Sequence, residues 1–195
     1  MSALDVIIVP DPVLRKTAQP IEQIQTDTKQ FLRDMAETMN VENGIGLAAN
    51  QVAVLKRALV MDVPKGCWEY KGEDKHGVLT IGPAKDAAKQ EISNLIHMIN
   101  PEIIESSAQR SVYAEGCLSI PGQYAEVERP AKVRVKYLDI DGKEKIELFE
   151  GLDSHCVQHE IDHLNGVLFI DYLSKLKRNT ILRKVEKARR HTTLL

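Results

Sequence analysis

The sequence predicts an α+β fold: antiparallel strands packed around a central helix, with an N-terminal helix before them and a basic helix at the C-terminus. Three observations carry this. Lys132 to Tyr137 alternates, with Val133, Val135 and Tyr137 on one face and Lys132, Arg134 and Lys136 on the other. Asp141-Gly142 then supplies a turn, and Glu144 to Phe149 returns as the second arm of a hairpin, with Ile146 and Leu148 sharing a face. Finally, residues at helical spacing fall in segments set apart from the strands.

In chain order, Phe31, Leu32, Met35 and Met39 predict a helix over about 27–40, stopped by Asn43-Gly44. Arg57 to Val63 is aliphatic and precedes Pro64, so it reads as a strand; Leu95 to Asn100 reads the same way and ends at Pro101. Residues 64–93 between them hold Gly66, Gly72, Gly77, Gly82, Pro83 and the single tryptophan, Trp68, and read as a long loop or inserted flap. After the hairpin, Asp153 or Ser154 is positioned to cap a helix that runs to Asn165 and stops at Gly166. A last helix covers about 174–192, with Leu176, Ile181, Leu182 and Val185 as its apolar face.

A chain of 195 residues fits one domain, 1–195. With 43% hydrophobic and 28% charged residues it has the balance of a soluble globular protein. No apolar run approaches the roughly 20 residues of a membrane span, so no membrane partner is expected. The N-terminus lacks the basic and apolar regions of a signal peptide, which makes a cytoplasmic address the default. Three cysteines, Cys67, Cys117 and Cys156, are too few and too odd for a disulfide framework, so a thiolate ligand or nucleophile is worth seeking. The net charge of −2 gives no reason to expect DNA binding. Its distribution is uneven: Tyr172 to Leu195 holds eight Lys/Arg and one Glu, net +7, leaving −9 on the rest. Such a tail either meets an anionic partner or forms a solvated helix face.

The chemistry concentrates in three segments. His159-Glu160-Ile161-Asp162-His163 puts two imidazoles four residues apart, on one face of a helix, where both can reach one metal. Glu160 is offset, near enough to take a proton from a water on that metal; His-Glu-x-x-His is a known zinc-hydrolase pattern. A catalytic site wants a third protein ligand, and Cys117, Cys156, Cys67 and His155 are candidates. His155 lies one turn before His159 on the same stripe, but consecutive turns diverge by about 5 Å, so a ligand from another element is geometrically better. Cys117 stands beside Gly116 in Glu115-Gly116-Cys117-Leu118-Ser119, and as an isolated buried thiol it would be an ordinary small hydrophobe. Gly44-Ile45-Gly46-Leu47-Ala48-Ala49-Asn50-Gln51 combines close backbone approach with one amide, Gln51, which is either a surface residue or an oxyanion donor. It lacks the third glycine of a dinucleotide loop.

Taken together these segments resemble the bacterial-type peptide deformylase family, marked in order by G-x-G-L-A-A-x-Q, E-G-C-L-S and Q-H-E-x-D-H-L-x-G. They stand complete as Gly44–Gln51, Glu115–Ser119 and Gln158–Gly166, and the similarity runs from Pro10-Asp11-Pro12-Val13-Leu14-Arg15 to the terminal helix. The resemblance implies a metal-binding central helix, with Cys117, His159 and His163 as ligands and Glu160 as general acid/base. It implies the Gln51 amide and the Leu118 backbone N–H as oxyanion donors, and Ile45, Gly46, Cys156 and the His159 ring around a methionine pocket. The activity implied is removal of the formyl group, as formate, from N-formylmethionyl ends of nascent proteins. The cofactor implied is one divalent ion, iron(II) first, with zinc, nickel or cobalt able to substitute. The ribosome beside its exit tunnel is the implied partner of the basic helix.

Two positions depart from the family. His155 replaces an apolar residue at the pocket edge; it either alters side-chain preference or, as exposed histidines commonly do, points to solvent. Tyr124 stands where some members carry an arginine facing the downstream peptide. Glu115, Arg129 and Asp162 read as supports that orient ligands. A metalloprotease would need a downstream third ligand, for which Asp171, Glu186 and His191 have no suitable context; a silent metal protein would need neither Glu160 nor Gln51.

Overall fold

The computed structural model describes residues 3–85 and 93–192. Helix α1 (Thr26–Val41) is followed by strands β1 (Gly46–Ala48), β2 (Ala58–Met61), β3 (Trp68–Glu73), β4 (Leu79–Pro83), β5 (Ile96–Ser106), β6 (Arg110–Glu115), β7 (Ala125–Pro130), β8 (Lys132–Leu138) and β9 (Glu144–Glu150). Helices α2 (Gly151–Leu164) and α3 (Lys175–Thr192) complete the order.

Two sheets result, β1-β2-β5-β8-β9 and β3-β4-β6-β7. All pairs are antiparallel except β4 with β6, where Leu79 faces Ser111 and Thr80 faces Val112 in parallel register. Strand β2 is buried on both faces, which is why it reads as an unbroken aliphatic run. Leu59 and Met61 join Val133, Val135, Val157, Ile161 and Leu164 in the cluster around α2. Ala58 and Val60 turn the other way and meet Leu32, Met35 and Met39 of α1. Thus α2 is central, with Ile81 of the second sheet in the same cluster.

Several sequence expectations change. Residues 68–83 of the expected flap form the β3–β4 hairpin, with Gly72 at a register shift and Gly77 at the turn; residues 86–92 lie outside the described part. Trp68 packs its ring against Gly151, leaving no room for a Cβ there, and donates from Nε1 to Asp153 at 3.1 Å. Neither Asp153 nor Ser154 caps α2. Strand β9 runs straight into the helix, Glu150 is the N-cap, and the chain turns at Gly151 with φ +55°. Ser154 donates instead to the Pro130 carbonyl at 3.1 Å. Strand β5 continues past Pro101 because the register shifts between Ile99 and Glu102. Ile146 and Leu148 do share a face, but the exposed one; Phe149 is the inward residue.

In α3, Leu176 is 79% exposed and leaves the expected apolar face. Ile181 and Val185 dock on Phe169, Ile170 and Ile120, with Leu182 beside them. No helix among the described residues is long and apolar enough to cross a membrane.

Candidate metal centre

Helix α2 carries His159 and His163 one turn apart, with their Nε2 atoms 3.2 Å from each other. The turn after β6 brings in Cys117, whose Sγ lies 3.2 Å from His163 Nε2. One ligand atom from each of the three residues falls within a mutual 4.8 Å. Among the described residues these form a group able to hold a metal ion; Cys156, Cys67 and His155 stand outside it. The donor chemistry fits. His159 donates from Nδ1 to Glu115 Oε2 at 2.9 Å; burial by itself would lower its imidazole, but hydrogen bonds to Cys117 and Glu115 hold it well above the usual histidine range, so a cation at the cluster would displace the Nε2 proton to take its lone pair. Burial, with His159 adjacent, pushes the His163 imidazole well below the usual histidine range, the neutral form that ligates metal. Two imidazole nitrogens and a thiol sulfur converge, and the cluster borders a cleft of about 500 Å³ that leaves one side open.

The remaining chemistry surrounds that cluster. Glu160 is buried, and its Oε2 has no hydrogen-bond partner among the described residues. Burial raises its carboxyl to about 7, against the pull of His159; a bound cation would draw it down again. Gly46 gives this carboxylate its room, because a Cβ there would collide with Glu160 Oε1 and sit 2.9 Å from Cys156 Sγ. Gln51 accepts from the Ala48 N–H through Oε1 at 2.8 Å, which turns its NH₂ toward Cys117 Sγ at 3.6 Å and Ser119 Oγ at 3.4 Å. Ile45, Leu118 and Cys156 line the cleft. The Cys156 thiol donates to the Ile45 carbonyl at 3.3 Å, and burial pushes it well up, so it stays protonated.

Glu115 anchors the cluster from below. Burial by itself would raise its carboxyl, but hydrogen bonds from His155, His159 and Arg129 hold it well below the usual carboxylate range. Arg129 donates to Glu115 at 2.6 and 3.0 Å and to Asp162 at 2.8 Å, and its guanidinium lies 4.7 Å over the Tyr172 ring. His155 does not point to solvent. It is 1% exposed, because Ser111 and Glu115 give its two nitrogens buried partners. Tyr124 is exposed at the rim, its ring over Gly116. Sequence reasoning did not single out Ser111, Tyr113, Ser119 or Tyr172; Ser111 and Tyr113 share a face of β6 with Glu115, a period-2 signal that was there to read.

A polypeptide deformylase family model matches residues 3–179. The peptide deformylase of Rhizobium meliloti (strain 1021) is 50% identical over 188 residues, covering 96% of this chain and 95% of its own. A crystal structure of peptide deformylase from Ehrlichia chaffeensis superposes with a TM-score of 0.82 at 39% identity, covering both chains in full (100%). The same organism's enzyme in complex with actinonin gives 0.81 at 40% identity, over 97% of this chain and 99% of the other. Matching over almost its whole length, with a Cys/His/His group at the cleft, this chain belongs to the polypeptide deformylase family, the metal-dependent hydrolases that remove the N-formyl group of new peptides.

Proposed function

We propose that Cys117, His159 and His163 hold the catalytic ion and that Glu160, Gln51 and Leu118 carry the reaction on N-formylmethionyl peptides. The convergence of one thiol and two imidazoles beside a buried, unpartnered carboxylate oxygen supports this most directly. When bound, a divalent ion in such a set polarises the formyl oxygen and acidifies water. The chain's own groups do the rest. Gln51, its oxygen tied to Ala48 N–H, offers its NH₂ to the oxygen that gains charge, and the Leu118 N–H is assigned the same task; one such donor is worth about 3–4 kcal/mol. Glu160 takes a proton from the attacking water on its partnerless Oε2 and hands it to the leaving amine. The methionine side chain enters past Ile45, Gly46 and Cys156, whose thiol is already engaged with a carbonyl and so adds an apolar wall.

Iron(II) is the ion assigned, with zinc, nickel or cobalt as substitutes; the basis is family resemblance, since a Cys/His₂ set by itself suits zinc equally. The protein is assigned to the cytoplasm, and α3, with Lys175, Lys177, Arg183 and Lys184 exposed, is assigned to ribosomal phosphate near the exit tunnel. Formate release from a formyl-methionyl peptide, measured beside the unformylated peptide and with metal-stripped protein, tests the catalytic reading. Turnover is expected only with formyl peptide and metal, and unformylated peptide cleaved at the same rate would replace it with a general peptidase.

A further inference from the structure

Position 155 holds a histidine whose surroundings assign it a task. On β6, Ser111, Tyr113 and Glu115 lie two residues apart and face α2 together. On α2, His155 lies one turn before His159. A carboxylate only accepts hydrogen bonds, so His155 Nδ1 donates to Glu115 Oε1 at 3.0 Å, and its Nε2 accepts from the Ser111 hydroxyl at 3.0 Å. The Tyr113 ring packs edge-on against it at 6.0 Å. Each Glu115 oxygen thereby takes two donors. Oε1 takes Arg129 Nε at 2.6 Å and His155, and Oε2 takes Arg129 Nη2 at 3.0 Å and His159 Nδ1 at 2.9 Å.

We propose that His155 is a positioning residue for the metal centre: by holding Glu115 Oε1 it fixes the carboxylate that orients the His159 ring. Remove it, and Oε1 keeps only Arg129 Nε, so the carboxylate is freer to rotate and carries His159 with it. Partners behind a metal ligand set ring direction and basicity, and their loss typically costs about 10–100-fold in metal affinity. The ring also borders the substrate cleft, and with both nitrogens engaged it offers carbon there.

This rests on His159 being a ligand, and zinc(II) affinity by chelator competition on the full chain tests the two ideas separately. Cys117→Ser should lose tight zinc binding; if it binds as the parent does, the ligand assignment itself fails. With that control in place, His155→Leu should bind zinc about tenfold more weakly, and His155→Asn, which keeps a donor near Nδ1, should recover most of the loss. Val157→Ala, on the same helix and buried in the apolar cluster around it, controls for mere destabilisation and should leave zinc affinity unchanged. Zinc affinity of His155→Leu within twofold of the parent, or an equal loss in Val157→Ala, overturns the proposal. Should His155→Leu not fold, Ser111→Ala decides: a weaker zinc complex supports it, and an unchanged one overturns it.

Discussion

Glu160 sits one residue beyond His159, buried, with Oε2 unpartnered and Oε1 against the space that only a glycine leaves at position 46. Glu160→Gln keeps this shape and removes the proposed base, so metal and fold should be retained while kcat falls by about 10²–10⁴-fold. A variant with near-parental kcat at saturating substrate would put the proton transfer on another group. Cys117 carries a second expectation. If iron(II) is the native ion, air should inactivate the loaded enzyme, because ion and thiolate both oxidise, whereas the zinc form should survive air and turn over more slowly. Rates measured anaerobically on both forms check this, and equality removes the preference for iron. The residues meeting at the cluster were legible beforehand, because His159, Glu160 and His163 are related by helical spacing alone. Cys117 was only favoured beforehand, because a ligand from another element suits the geometry better than Cys156 on the same helix; that argument leaves Cys67 open, and the meeting of the turn after β6 with α2 is what singles out Cys117. His155 misled for a similar reason. Its burial depends on Ser111 and Glu115, about forty positions away, with which no local pattern connects it.

At the scale of elements, period and turn signals located α1 and the β8–β9 hairpin closely, since each shows its partner or its solvent in its own alternation, whereas α2, buried almost all round, was bounded by cap and stop residues of which only Gly166 fell in place. They failed where tertiary contacts override local preference. The glycines of residues 66–82 read as a long loop or flap, yet two of them serve the bulge and the turn of the β3–β4 hairpin. Pro101 read as a stop, yet a register shift lets β5 run through it. The hairpin has a definite use: Trp68 braces the point where β9 becomes α2, filling the space over Gly151 and bonding Asp153. Trp68→Ala should therefore cost about 2–3 kcal/mol, the half-buried ring losing packing and Asp153 losing its donor. For a chain of this size that lowers Tm by about 4–12 °C. Gly151→Ala should cost at least as much, since it adds both a collision with Trp68 and strain at positive φ. Thermal melts of the two variants check the brace; parental Tm for Trp68→Ala would mean that the hairpin only covers the helix.

Across the whole molecule, an acidic body of −9 carries a tail of +7, a division visible in the sequence and unchanged by folding, because the cations of α3 are largely exposed. The structure alters how that division is to be probed. Truncation after Arg183 would remove Val185, which is 2% exposed in the core, and Arg189, which donates to the Val9 carbonyl at 3.1 Å, so lost ribosome association would be confounded with lost packing. Charge can be removed without touching either contact. Lys175, Lys177, Arg183 and Lys184 are exposed, and changing all four to Gln leaves Ile181 and Val185 docked. Each phosphate contact contributes a slope of about 0.7–0.9 in log K against log salt, so four lost contacts should flatten the salt dependence by about 3 and weaken association most at low salt. Catalysis on short free peptides should not change, since none of the four residues borders the cleft. Ribosome pelleting of parent and quadruple variant at two salt concentrations, alongside formate release from a short peptide, gives both readouts. Equal co-sedimentation with equal salt dependence would return α3 to a purely structural role, its cations serving solubility while Ile181 and Val185 close the core over Phe169.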